Sequence, residues 1–223
     1  MKRQNNSRPR GFTLIELLVV VAIIAMLAAI GFAAMQFAMN KSREKDTVAL
    51  IQNFSRAIKD YKDDHGNYPR PADGEETTTV DSQSYAVGGA KMLYQVLSGD
   101  GDNALKGGEK ISTGEQASAK DEKNPSAGKI YLDTVVPPTE QMKKDKKPAK
   151  YVEPAGDESY FVVDPWRHPL QYQVPDRDKN GVITNDIKMF SSSDYELWSY
   201  GTLKKPDDSE ESQKKWITNW GLK

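Results

Sequence analysis

A single carboxylate, Glu16, stands at the head of a long uncharged run, and it is the residue in this chain best placed for specific chemistry. No charged residue occurs between Leu17 and Asn40, and Lys41 is the next. Four cations, Lys2, Arg3, Arg8 and Arg10, precede Gly11-Phe12-Thr13-Leu14-Ile15-Glu16. An ionisable group in an apolar span is costly and marks function. A short basic leader thus meets a hydrophobic segment at a glycine, and Glu16 stands as a lone carboxylate at the head of that segment.

A second cluster able to do chemistry is Asp176-Arg177-Asp178-Lys179-Asn180-Gly181-Val182-Ile183. Oxygen-bearing side chains at alternate positions, a glycine for the sharp turn and then an aliphatic residue match the first half of an EF-hand-type calcium loop. Ile187 stands where a full loop would end and cannot coordinate, although Asp186 is adjacent. The competing reading is a hairpin with an Asn-Gly turn and acidic decoration. Calcium at Asp176, Asp178 and Asn180 and a plain turn both remain open on the sequence. The two histidines, His65 and His168, have no obvious partners, and there is no cysteine. A nucleophile–base pair or a metal triad is therefore not apparent, so the chain reads as no enzyme; an anchored exported hydrolase is the distant alternative.

The elements around these residues can be read from patterning. The uncharged run meets the roughly 20 apolar residues a bilayer core requires, and it exceeds the roughly 7–15 of a signal peptide and lacks a strict Ala-x-Ala site. Retention as a membrane helix over 12–40, after a leader of 1–11, is the expectation, with a removed signal as the alternative. Basic residues before the span place its N-terminus in the cytoplasm. Without the leader's four cations the 31 basic residues fall to 27 against 32 acidic, a net of −5. That balance disfavours nucleic acid as a partner.

Beyond the span, Val48, Ile51, Phe54, Ile58 and Tyr61 recur at helical spacing among charged residues, which predicts an amphipathic half over 41–66. No proline interrupts Phe12–Tyr61, so one helix of about 75 Å is feasible. It should end at His65-Gly66, with His65 as a helix-terminal capping partner. Residues 67–159 read as a variable insertion: Thr77–Thr79 and Gly99–Asp102 as loops, Ala90–Leu97 as a short helix, and Lys143, Lys144, Lys146 and Lys147 as a solvated face. Order returns over 160–223. There a loop through Asp164-Pro165-Trp166 leads to a hairpin of 171–174 and 182–190, and then to a strand at 195–200.

The leader ending in Gly11, followed by Phe12-Thr13-Leu14-Ile15-Glu16-Leu17-Leu18, closely resembles the processing site of type IV pilins and type II secretion pseudopilins. The resemblance implies that a membrane prepilin peptidase cuts after Gly11 and that Phe12 is N-methylated. It also implies that Glu16 meets the Phe12 amine of a neighbouring subunit during assembly. Tyr61–Pro69 and the Asp-Pro-Trp-x-x-Pro-x-x-Tyr block at 164–172 resemble the major pseudopilin of type II secretion, which usually carries Gly-Asn where this chain has Arg167-His168. That family also holds calcium with aspartates in a Gly-rich loop after its last strand. Tyr195–Gly201 and Ile217–Trp220 resemble the loop's flanks, while Leu203 and Trp216 stand at the aspartate positions and Asp207, Asp208, Glu210 and Glu211 are the acidic residues nearby. The implied fold is α+β and pilin-like, with a long N-terminal helix packed on a small C-terminal antiparallel sheet. The implied function is that of a single-pass inner-membrane subunit with a periplasmic domain. Its partners would be the peptidase, other pseudopilin subunits in a homo-oligomeric filament, and a secretion assembly platform. A type IV pilus subunit is the alternative.

Overall fold

The computed structural model describes residues 12–69, 76–98, 129–135, 150–155, 160–176, 180–184, 187–203 and 207–221. Two units divide the chain, 1–42 and 43–223, and helix α1 (Leu14–His65) contributes to both.

In the first unit every side chain of α1 is exposed, with Phe12 and Leu14 each 81% accessible. An apolar surface around the whole circumference belongs to a helix made for lipid or for a protein assembly. An eighteen-residue stretch of α1 reaches a mean hydropathy of 2.9, and α1 is long and apolar enough to cross a bilayer.

In the second unit the helix becomes one-sided. Thr47, Leu50, Ile51, Phe54, Ala57, Ile58 and Tyr61 are buried at three- and four-residue intervals. Val48, expected in this stripe, is half-buried; Thr47 takes the inward place and turns its hydroxyl back onto the Arg43 carbonyl at 2.8 Å. Full burial of an Ile or Phe stabilises by about 1.5–3 kcal/mol relative to exposure, so this stripe is a main source of cohesion. Gly66 closes the helix with φ +79°, its amide donating to the Lys62 carbonyl at 2.7 Å, a left-handed cap that suits glycine.

Two strands, β1 (Thr77–Val80) and β2 (Gln83–Ala86), pair antiparallel after this exit. The sequence suggested a loop at Thr77–Thr79. The turn that makes a hairpin of it is Asp81-Ser82, both with positive φ (48° and 65°), a conformation whose usual glycine or asparagine signal is missing here. Helix α2 (Gly88–Leu97) is almost wholly buried from Ala90 to Leu97, in agreement with the short helix expected at Ala90–Leu97. Its Lys91 reaches Glu76 at 2.5 Å. A Cβ at Gly89 would lie 2.5 Å from the Tyr172 carbonyl oxygen, so the absence of a side chain is what lets α2 approach the following sheet this closely.

Strands β3 (Val152–Pro154) and β4 (Tyr160–Val162) form a second antiparallel pair. A three-stranded antiparallel sheet has the order β5-β6-β7, from β5 (Gln171–Gln173), β6 (Glu196–Ser199) and β7 (Ile217–Thr218). Its register sets Tyr172 opposite Leu197 and Trp198 opposite Thr218. Among the described residues the partner of β5 is thus β6 and not 182–190, which corrects the expected hairpin. The cause is Glu196, fully buried, whose carboxylate accepts from the amides of Phe190 (2.8 Å) and Ser191 (2.5 Å) and from Gln173 Nε2 (2.6 Å). Those amides are bound to a side chain and are not available for a ladder. A single apolar core unites the buried stripe of α1, α2, and Phe161, Val162, Leu170 and Leu197. The architecture is α+β and pilin-like, a long N-terminal helix followed by small antiparallel sheets.

Candidate functional site

At the start of α1 the geometry is a reciprocal cap. Thr13 carbonyl accepts the Leu17 amide at 3.2 Å, which makes Thr13 the residue that begins the helix. Its hydroxyl accepts the Glu16 amide at 3.3 Å, and the Glu16 carboxylate in return accepts the Thr13 amide and hydroxyl, each at 2.8 Å. This is a capping box, Thr-x-x-Glu, with two orphan helix donors satisfied at once. The sequence carried that signal, although Glu16 was read only as a partner for an amine. Glu16 is thereby held over the positive end of the helix dipole, adjoining the residue whose nitrogen cleavage would free. Phe12 is exposed beside it. Gly11 lies outside the described residues.

Of the calcium-loop residues, Asp176 and Asn180 are described and Asp178 and Asp186 lie outside the described residues. The Asp176 carbonyl accepts the Thr184 amide at 2.8 Å, and Gly181 has φ +81°. The Asp176–Thr184 hydrogen bond and the left-handed Gly181 favour neither the calcium nor the plain-turn reading over the other. The lysine face at 143–147 and the loop at 99–102 also lie outside the described residues.

The Gly-rich-loop calcium site that the resemblance implies does not fit the residues between β6 and β7. Trp216 is 7% exposed and stacked on Trp198, with ring centroids 5.5 Å apart and planes 14° apart. Leu203 offers only backbone. Asp207 accepts the Ser209 amide at 2.9 Å, and Asp208 faces Lys188 at 3.7 Å. Glu210 and Glu211 lie exposed in the first turn of the short helix α3 (Glu210–Gln213), capped by Ser209. Among the described residues no group of three His, Asp or Glu side chains converges on one point.

The Asp164-Pro165-Trp166 turn is built around a fully buried carboxylate. Asp164 Oδ1 accepts the amides of Trp166 (2.8 Å) and His168 (3.0 Å), while Oδ2 accepts the Ser199 hydroxyl at 2.5 Å. Burial pushes its carboxyl above the ordinary value of 3.8, against the opposing pull of the Ser199 hydrogen bond and His168. Arg167 takes φ +69°, the conformation for which glycine is suited, and its guanidinium pairs with Glu153 at 2.5 Å. Asp, His and Ser thus meet in one place, but not as a nucleophilic relay. The Ser199 hydroxyl donates its hydrogen bond to Asp164, and the His168 Nδ1 is 3.9 Å from the same carboxylate. A relay needs the hydroxyl on the imidazole and both open to substrate. His168 is instead stacked flat on Tyr85 at 5.2 Å. His65, in the last turn of α1, bonds Tyr131 through Nε2 at 2.9 Å, and Tyr131 in turn donates to Asp64 at 2.8 Å.

Comparison with known proteins bears on the first of these sites. The model of the prokaryotic N-terminal methylation motif matches residues 6–32, which include Gly11, Phe12 and Glu16. Prepilin peptidase-dependent protein D of Escherichia coli K12 is 31% identical over 100 residues, 45% of this chain and 68% of that protein. A fimbrial protein of Neisseria meningitidis serogroup B is 29% identical over 108 residues, 46% of this chain and 64% of its own length. Fimbrial protein EcpC of Eikenella corrodens is 40% identical over 60 residues, 27% of this chain and 39% of EcpC. The chain therefore spans less than two thirds of the length of several of these relatives. No solved structure matches it significantly. A prepilin-type motif on an apolar anchor helix, a capping carboxylate at the fifth position after Gly11, and this likeness to protein D agree: the chain belongs to the type IV pilin-like family.

Proposed function

We propose that the chain is a pseudopilin, a structural and non-catalytic subunit of a type II secretion filament. Prepilin peptidase hydrolyses the Gly11–Phe12 bond, and methylation of the Phe12 nitrogen keeps its positive charge. The observation that carries the reading is Glu16, exposed at the head of an uncovered apolar helix and held there by Thr13. A carboxylate so placed can exchange its own Thr13 donors for the charged amine of a neighbour. Attraction between opposite charges grows as water is excluded, so the exchange favours a packed bundle over a free subunit. Lys2, Arg3, Arg8 and Arg10 hold the leader in the cytoplasm by the positive-inside rule, and the second unit is then periplasmic. Subunits added at the inner membrane on an assembly platform lengthen the filament, which pushes substrates outwards.

The choice of secretion filament rests on the resemblance of the Asp164-Pro165-Trp166 block to the major pseudopilin, and on the absence of cysteine, since many pilus subunits close a C-terminal loop with a disulfide. A pilus subunit is the second reading, favoured by relatives that are named fimbrial protein and type IV major pilin protein. Deleting the gene in the native organism separates the two. Loss of exported proteins from the medium with surface pili intact supports the secretion filament, whereas loss of pili with secretion intact supports the pilus. We propose calcium as a ligand of the loop at Asp176, Asp178 and Asn180. Adding EGTA should lower the melting temperature, and that loss should vanish in Asp178→Asn; an unchanged melting temperature removes calcium from the loop.

A further inference from the structure

We propose that an aromatic clamp, centred on the Trp198–Trp216 stack, closes the long connection between β6 and β7 in place of a metal ion. Trp198 lies on β6, and Trp216 immediately precedes β7, so the stack staples the two ends of the 200–215 connection. Closing a loop of this length has an entropic cost that a bound ion or a disulfide commonly offsets. Here the closure is made by rings. Phe190 sets its edge against both indoles, at 5.7 Å to Trp198 and 5.0 Å to Trp216, with planes 73° and 87° apart. Tyr200 adds a second edge to Trp216 at 5.3 Å and 82°, and Trp220 packs on Trp198 at 6.1 Å. Stacked and edge-to-face pairs at these separations match the attraction between ring quadrupoles.

The clamp joins three segments that backbone pairing alone would leave loosely connected. Phe190 belongs to the segment tied down by the Glu196 carboxylate, Trp198 to the middle strand, and Trp216 to the return of the loop. Of the carboxylates nearby, Asp207 accepts the Ser209 amide and Asp208 faces Lys188, while Glu210 and Glu211 lie exposed on α3, and among the described residues no three of them converge on one point. Trp216 is thus a positioning residue for β7, and the outer sheet forms without calcium at this loop.

The test uses the full chain in detergent micelles, with circular dichroism reading the exciton couplet of the stacked indoles. It is run in the Asp176→Asn/Asp178→Asn background, so that calcium at that other loop is out of the comparison. The couplet and the melting temperature should be the same in EGTA and in millimolar calcium. A couplet that disappears in EGTA and returns with calcium overturns the proposal. In the otherwise unaltered chain, Trp216→Ala should weaken the couplet to what the Trp198–Trp220 pair supplies and lower the melting temperature by roughly 6–20 °C, while Trp216→Phe should retain most of the melting temperature. Should Trp216→Ala not fold, Trp216→Phe in the Asp176→Asn/Asp178→Asn background decides: a folded chain whose melting temperature is unmoved by EGTA supports the clamp, and one that EGTA destabilises overturns it. Trp216→Ala that melts like the parent overturns it.

Discussion

Glu16 and Thr13 hold each other, and that reciprocity separates two events that the same segment serves. Cleavage at Gly11–Phe12 needs the leader and the glycine, whereas assembly needs a carboxylate with charge. Glu16→Gln keeps the shape and an acceptor for the Thr13 donors but removes the charge. It should leave processing largely intact, read by mass, and impair filament formation, read by electron microscopy after overexpression. Normal filaments from that variant would overturn the pairing. At Gly89 the constraint is steric: a methyl group would meet the Tyr172 carbonyl oxygen at 2.5 Å. Gly89→Ala should lose about 1–3 kcal/mol in denaturant unfolding, the cost of forcing packed elements apart. The helix end at Gly66 was legible because its signal acts within a few residues of itself, and the Thr13-x-x-Glu16 cap, which went unread, is just as local. The Trp216 stack is not. Its partners Trp198 and Phe190 come from other segments, and nothing local to Trp216 names them.

Among the elements, those made by local periodicity were read well and those made by distant side chains were not. The end of α1 at His65 and the helix at Gly88–Leu97 follow from spacing and a cap. The β5 partner was misread because Glu196, a polar residue in a strand, binds the Phe190 and Ser191 amides that a hairpin would have used. The Asp164 turn has a similar dependence on a residue far along the chain, Ser199. It also makes a pH prediction. Because burial raises the Asp164 carboxyl above its ordinary 3.8, the folded chain binds that proton more tightly than the unfolded chain. Its favourable contribution is therefore complete below that value and shrinks as pH rises through the folded-state value. Asp164→Asn does not titrate, so its stability should decline less over that rise than the parent's, although it is lower overall for want of an acceptor toward Ser199. Parallel pH–stability curves for the two proteins would show that the buried carboxyl does not titrate as described.

At the scale of the whole molecule, the chain combines an apolar anchor helix with a small α+β unit whose core is its own. That combination was legible from the start because hydropathy and charge change so abruptly at Lys41. The central claim is that this is a processed subunit, and intact-mass analysis of the protein from native membranes tests it most directly. The expected species has lost residues 1–11 and begins at N-methylated Phe12. A mass retaining the leader, or one corresponding to cleavage near Asn40, would contradict it.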